Sequence, residues 1–112
     1  MLAELARICE RRAVTYTLEE TMRAPAAPSD AAWQARWERA VASLGLPVHR
    51  MPSGAGHDAM KLHERMPQAM LFMRGGNSGI SHNPLETITA DDTELCVAAF
   101  RQLLDDLATD TP

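Results

Sequence analysis

The stretch that decides the reading runs Met51-Pro52-Ser53-Gly54-Ala55-Gly56-His57-Asp58-Ala59, then an apolar run Ala69-Met70-Leu71-Phe72-Met73, then Gly79-Ile80-Ser81-His82-Asn83-Pro84. Two glycine-rich loops each carry a histidine, with a helix candidate and a strand candidate between them. Loops that follow strands are where α/β folds place binding and catalytic groups. Glycine lets backbone N–H groups come close to a ligand. Imidazole titrates near neutrality and binds metals when neutral, so each loop histidine is a candidate ligand or proton carrier. The competing reading is a pair of ordinary turns with solvated histidines.

Outward from this stretch, the elements alternate. Leu2, Leu5, Ile8 and Cys9 recur at helical spacing and predict a helix over about 2–12. Val14, Tyr16 and Leu18 alternate with polar residues, which predicts a half-buried strand to about Arg23. Ala24-Pro25-Ala26-Ala27-Pro28 reads as a linker, because prolines remove ladder donors. Ser29 or Asp30 can cap the next helix, whose stripe is Trp33, Trp37, Val41 and Leu44 and whose stop is Gly45 and Pro47. Residues 46–51 are a short strand candidate, 55–66 a helix, and 69–73 a strand apolar enough to be buried on both faces. Thr89 and Asp92 resemble a capping box for a last helix over about 90–108, with Cys96, Phe100, Leu103 and Leu107 as its buried stripe. The tail from Thr109 to Pro112 is expected to fray. The order α, β, linker, α, β, α, β, α predicts an α/β layer with helices on a sheet.

Composition narrows the classes. At 112 residues the chain is one domain at most, with a modest core. Its formal charge of −4 and the absence of a basic run argue against nucleic acid. No apolar run is long enough to span a membrane, and the start lacks the pattern of a secretory leader. Cys9 and Cys96 match no metal or redox spacing and read as buried free thiols, which suits the cytoplasm.

Three chemistries can be weighed from spacing. Gly54-Ala55-Gly56-His57-Asp58-Ala59 fits a dinucleotide loop, but the next strand ends in Arg74-Gly75-Gly76 and offers no acid for a ribose. Gly76-Asn77-Ser78 begins a nucleophile elbow whose second glycine falls on Ile80. His57 and His63 are six apart and share no helix face, and a catalytic zinc site takes three protein ligands. His49 and His63 read as solvated surface residues.

Ser53-Gly54-Ala55-Gly56-His57-Asp58-Ala59, the apolar strand, and Gly79-Ile80-Ser81-His82-Asn83-Pro84 together resemble the C-terminal part of the amidase/hydantoinase/carbamoylase branch of the M20 metallopeptidase-like hydrolases. That branch contains allantoate amidohydrolases, N-carbamoyl-L-amino-acid hydrolases and beta-ureidopropionases. The resemblance implies a three-layer α/β catalytic domain and a centre of two divalent ions, zinc or manganese. That centre hydrolyses a linear amide or ureido C–N bond in a small molecule. It implies His82 as the last metal ligand, and Gly56 and His57 as substrate-binding residues. Residues 1–24 then resemble the end of a lid or dimerisation domain, and 25–112 the closing part of the catalytic domain. The other ligands and the catalytic glutamate have no counterpart here, so the chain alone is expected to be an inactive fragment that binds little or no metal. The alternative is a non-catalytic interaction module, because the N-terminal strand presents an edge that a second copy could pair with as a homodimer.

Overall fold

The computed structural model describes residues 1–110. Helix α1 spans Leu2–Arg12, α2 Ala31–Ser43, α3 Ala59–Leu62 and α4 Ala90–Thr109, with a 3-10 turn at Asn77–Gly79. The expected fraying concerns the last residues, of which 111 and 112 lie outside the described residues.

The starts of α2 and α4 and the end of α2 follow from local chemistry. The Asp30 carboxylate accepts from the Trp33 N–H at 3.0 Å and opens α2. Gly45 sits just beyond its end with φ 71°, a conformation that costs glycine little. Thr89 Oγ1 accepts from the Asp92 N–H at 3.1 Å and donates to the Asp92 carboxylate at 2.7 Å, which opens α4. Asp91 and Asp92 then lie at the positive pole of that helix.

Among the described residues, α2 and α4 are the helices that touch. Trp37 (9% exposed), Ala40 (0%) and Leu103 (5%) form the core, with Trp33, Ala69, Leu71 and Leu107 packed around them. Ala40 carries no bulk, so it lets the helices approach. The Phe100 ring meets Trp37 edge-on, with centroids 4.7 Å apart. At the far end Arg36 pairs with Asp110 at 2.6 Å while stacking over Trp33 at 5.7 Å. The 46–51 segment is tied to α2 by the Arg50–Glu38 ion pair, whose hydrogen bond holds the Glu38 carboxyl below its usual range. The 69–73 run is tied to the start of α2 through the Asp30 N–H, which donates to the Gln68 carbonyl at 2.7 Å.

The α/β layering expected from the sequence is not formed by this chain on its own. Among the described residues there are helices only, and the segments expected as strands at 14–23, 46–51 and 69–73 carry no ladder. A strand is defined by its partner, and a sheet needs about three strands with a covered face to be stable. The three apolar segments find none. Residues 69–73 are also covered on one side rather than both: Ala69 and Leu71 meet the helix pair, while Phe72 is 44% exposed. The expected helix over 55–66 shrinks to the four residues of α3 followed by turns to Met66. Gly54 and Gly56 weaken its start, and Asp58 at its N-cap makes no side-chain capping bond.

The chain spreads over 64 × 36 × 19 Å with a radius of gyration of 20.0 Å, against about 13 Å for a compact domain of this length. Its accessible surface is 9326 Å², roughly 3,000 Å² more than a compact monomer of this mass would show. Much of the excess is apolar: Val14, Tyr16, Leu18, Met22, Phe72 and Leu104 all lie open. No helix among the described residues is long and apolar enough to cross a membrane.

Candidate functional site

The loop from Arg74 to Thr87 carries the second histidine and is held at several points. The Gly76 N–H donates to the Thr87 carbonyl at 2.7 Å. Asn77 Nδ2 donates to the Leu85 carbonyl at 2.6 Å. Arg74 pairs with Asp92 at 2.7 Å, anchoring the loop to the first turn of α4. Inside the loop, the Leu85 N–H donates to Asn83 Oδ1 and the Glu86 N–H to the Asn83 carbonyl, each at 2.9 Å, so Asn83-Pro84 turns the chain back. The Glu86 carboxylate then receives the His82 N–H on Oε2 at 2.9 Å and the Ser81 hydroxyl on Oε1 at 3.3 Å.

Three non-glycine residues of this loop hold positive φ: Asn77 (50°), Ser78 (63°) and His82 (55°). Such a conformation costs an L-residue about 1–2 kcal/mol, although histidine and asparagine tolerate it better than most. It persists where surrounding contacts over-determine it, and such strain gathers at functional sites.

The tightest approach in the loop is at Gly76. A Cβ there would lie 2.4 Å from Thr87 Oγ1 and 3.4 Å from the Thr87 carbonyl. Gly76→Ala is therefore expected to cost about 1–3 kcal/mol of local stability, read as faster amide exchange across 74–87. Adding Thr87→Ala should recover part of that loss, since it removes the clashing hydroxyl. Equal exchange in all three variants would show that the close approach is not made in solution.

The first histidine lies elsewhere. Gly56 and His57 line an open cleft of about 310 Å³ together with Met22, Asp58, Met60 and Lys61. His57 Nδ1 accepts from the Ala59 N–H at 3.1 Å, which leaves Nε2 as the other ring nitrogen, without a hydrogen-bond partner among the described residues. His82 is exposed and does not line that cleft. Of the sequence-predicted site residues, the structure brings Gly56 and His57 together and leaves His82 apart from them. His49 and His63 are exposed, as expected. Glu86 and Thr87 were not legible as site residues. The signal for Glu86 was an acid two residues beyond an Asn-Pro turn.

Among the described residues, no group of three histidine, cysteine, aspartate or glutamate side chains could hold a metal ion. A stable site takes three or more such ligands. His82 brings one imidazole, and Glu86 is engaged with backbone and hydroxyl. These residues do not fit a metal centre by themselves, and no chemical step through a metal follows from them.

Comparison with known proteins supplies the rest. The sequence profile of the peptidase family M20/M25/M40 matches residues 5–106. An allantoate amidohydrolase of Bacillus subtilis is 34% identical over 108 residues, covering 96% of this chain and 26% of that protein. A probable allantoate deiminase of Oryza sativa is 34% identical over 91% of this chain and 23% of its own length. An N-carbamoyl-L-amino acid amidohydrolase of Geobacillus stearothermophilus is 40% identical over 76% of this chain and 20% of its own length. No solved structure matches. The chain thus spans about a quarter of the length of the curated relatives it matches. With a profile match running from α1 almost to the end of α4, and with both histidine-bearing loops inside it, this chain belongs to the peptidase family M20/M25/M40.

Proposed function

We propose that the chain is the closing part of a metal-dependent amidohydrolase that cleaves linear amide or ureido C–N bonds in small molecules of the N-carbamoyl amino acid or allantoate class. Residues 25–112 complete the catalytic domain, and residues 1–24 end a lid or dimerisation domain. One observation carries this reading: the chain exposes roughly 3,000 Å² beyond a compact monomer, and covering it would remove a comparable area from a partner as well, which puts it at the upper end of obligate interfaces. Ala69 and Leu71 already face the helix pair while Phe72 faces out, as in a strand between two layers. The missing partners of the 46–51 and 69–73 segments are strands contributed by the remainder of the enzyme, which restores the α/β layering.

In that assembly His82 supplies one ligand to a centre of two zinc or manganese ions. Gly56 and His57 line the substrate cleft. The chain alone is expected to be inactive, since no three candidate ligands gather among the described residues. Cys9 and Cys96 are unpaired thiols, which fits the cytoplasm.

The test is a chimaera in which the matching quarter of the Bacillus subtilis allantoate amidohydrolase is replaced by this chain. Hydrolysis of allantoate or an N-carbamoyl amino acid by the chimaera, and none by the chain alone with either metal, is the expected result. A folded, inert chimaera would reject the reading.

A second reading rests on the N-terminal segment. Val14, Tyr16 and Leu18 alternate, stand open and carry no ladder, and α1 touches no other described helix. A non-catalytic module pairing through this segment with a second copy would be dimeric in solution and silent in the chimaera.

A further inference from the structure

We infer that Glu86 is a positioning residue for His82: its carboxylate sets the backbone conformation from which the imidazole projects. The functional consequence rests on the proposed role of His82, but the structural claim does not.

His82 holds φ at 55°, where a side chain is rarely found. Nothing in its own sequence enforces this, since Ile80-Ser81-His82 would be equally content in an extended conformation. The chain beyond it provides the constraint. Asn83 and Pro84 reverse the direction, with the Asn83 side chain receiving the Leu85 N–H and its carbonyl the Glu86 N–H. That reversal returns the Glu86 carboxylate to residues 81 and 82. Its Oε2 takes the His82 N–H and its Oε1 the Ser81 hydroxyl. A carboxylate accepting a backbone N–H makes a charge-assisted bond, stronger than its neutral counterpart. The peptide plane before His82 is thereby fixed, and the Asn83-Pro84 reversal closed by the Glu86 N–H restrains the rotation about its N–Cα bond, so that together they set the direction of its Cα–Cβ bond. The loop's other ties, Gly76 to Thr87, Asn77 to Leu85 and Arg74 to Asp92, hold the rim of the loop, and among the described residues it is Glu86 that holds 81 and 82.

The experiment is amide hydrogen exchange and backbone coupling measured by NMR on the 112-residue chain. Glu86→Ala is expected to speed exchange at His82 by about tenfold, and to move its φ out of the left-handed region. Glu86→Gln should restore both, because its Oε1 can accept the N–H while Nε2 donates to Ser81 Oγ. Ser81→Ala, corrected for intrinsic rate, should leave His82 protected within about threefold. Unchanged exchange and coupling at His82 in Glu86→Ala, with helical content intact, would overturn the inference. So would failure of Glu86→Gln to rescue. The same variants in the chimaera separate the two claims. If His82→Ala leaves the chimaera fully active, the ligand role falls while the exchange result stands. If exchange at His82 ignores residue 86, this inference falls whatever the chimaera does.

Discussion

Trp37→Ala is expected to melt the α2–α4 pair at ordinary temperature. Trp37 is the largest side chain of the core and 9% exposed, and it touches both Phe100 and the Ala40–Leu103 contact. Truncating a buried tryptophan costs about 3–5 kcal/mol. A domain of average stability has about 5–15 kcal/mol to lose, and this core holds only three buried residues. Leu103 and the Phe100 ring border the space, but neither is large enough to fill what an indole leaves. Circular dichroism at 222 nm, followed on heating, should show the wild-type transition lost or shifted by tens of degrees. Phe100→Leu provides the contrast. Phe100 is 47% exposed, and the edge-on ring pair is worth about 0.5–1.5 kcal/mol. A Trp37→Ala protein that melts within a few degrees of wild type would mean that the helix pair is not what holds the chain together.

The same core shows how much of the fold the sequence made legible. α2 and α4 follow from their stripes and caps, because helix bonds and capping bonds are closed within a few residues. Asp30, Gly45 and Thr89 do in the structure what their residue types promise. The register of burial was less legible. Of the expected α4 stripe, Leu103 is buried and Leu107 packs beside it, but Ala99 is buried as well and Phe100 lies 47% exposed at the edge. Which of two adjacent positions is covered depends on tertiary contacts that periodicity does not carry. The strands were legible as patterns and absent as ladders. Residues 14–18 and 69–73 have the composition of strands, but a ladder is an interaction with another segment, and the described residues offer none.

At the site, the histidines could be singled out from glycine and motif context, since the residue types carry the chemistry. Their support could not. Gly76 is glycine because Thr87 crosses it, and Glu86 matters because an Asn-Pro turn brings it back over His82. Both are consequences of chain reversal. The glycines of this loop signal only that some close approach exists, and the structure names the partner.

In the chimaera described above, His82→Ala is expected to reduce turnover by about a thousandfold, close to 4 kcal/mol of lost transition-state stabilisation. His82 is exposed and packs in no core, so the substitution removes chemistry without removing a contact that folds the chain. Alanine also tolerates the left-handed backbone less well than histidine, so a second variant is needed. His82→Asn keeps a residue that accepts positive φ and retains one polar side-chain atom in the same region, yet lacks an imidazole. The loop should survive in His82→Asn, with the His82-position N–H still bound to Glu86, while the rate stays low. Metal content by mass spectrometry gives an independent readout: both variants should lose bound ion relative to the unmodified chimaera. His57→Ala should behave differently. Its imidazole lines the cleft with Gly56, and Nδ1 also supports the start of α3. Losing a substrate contact raises KM and leaves metal content unchanged, with a cost of about tenfold to a hundredfold in kcat/KM. If His57→Ala stripped the metal and His82→Ala merely raised KM, the two loops would have their roles exchanged. The assignment made from the sequence would then be reversed, even with the family unchanged.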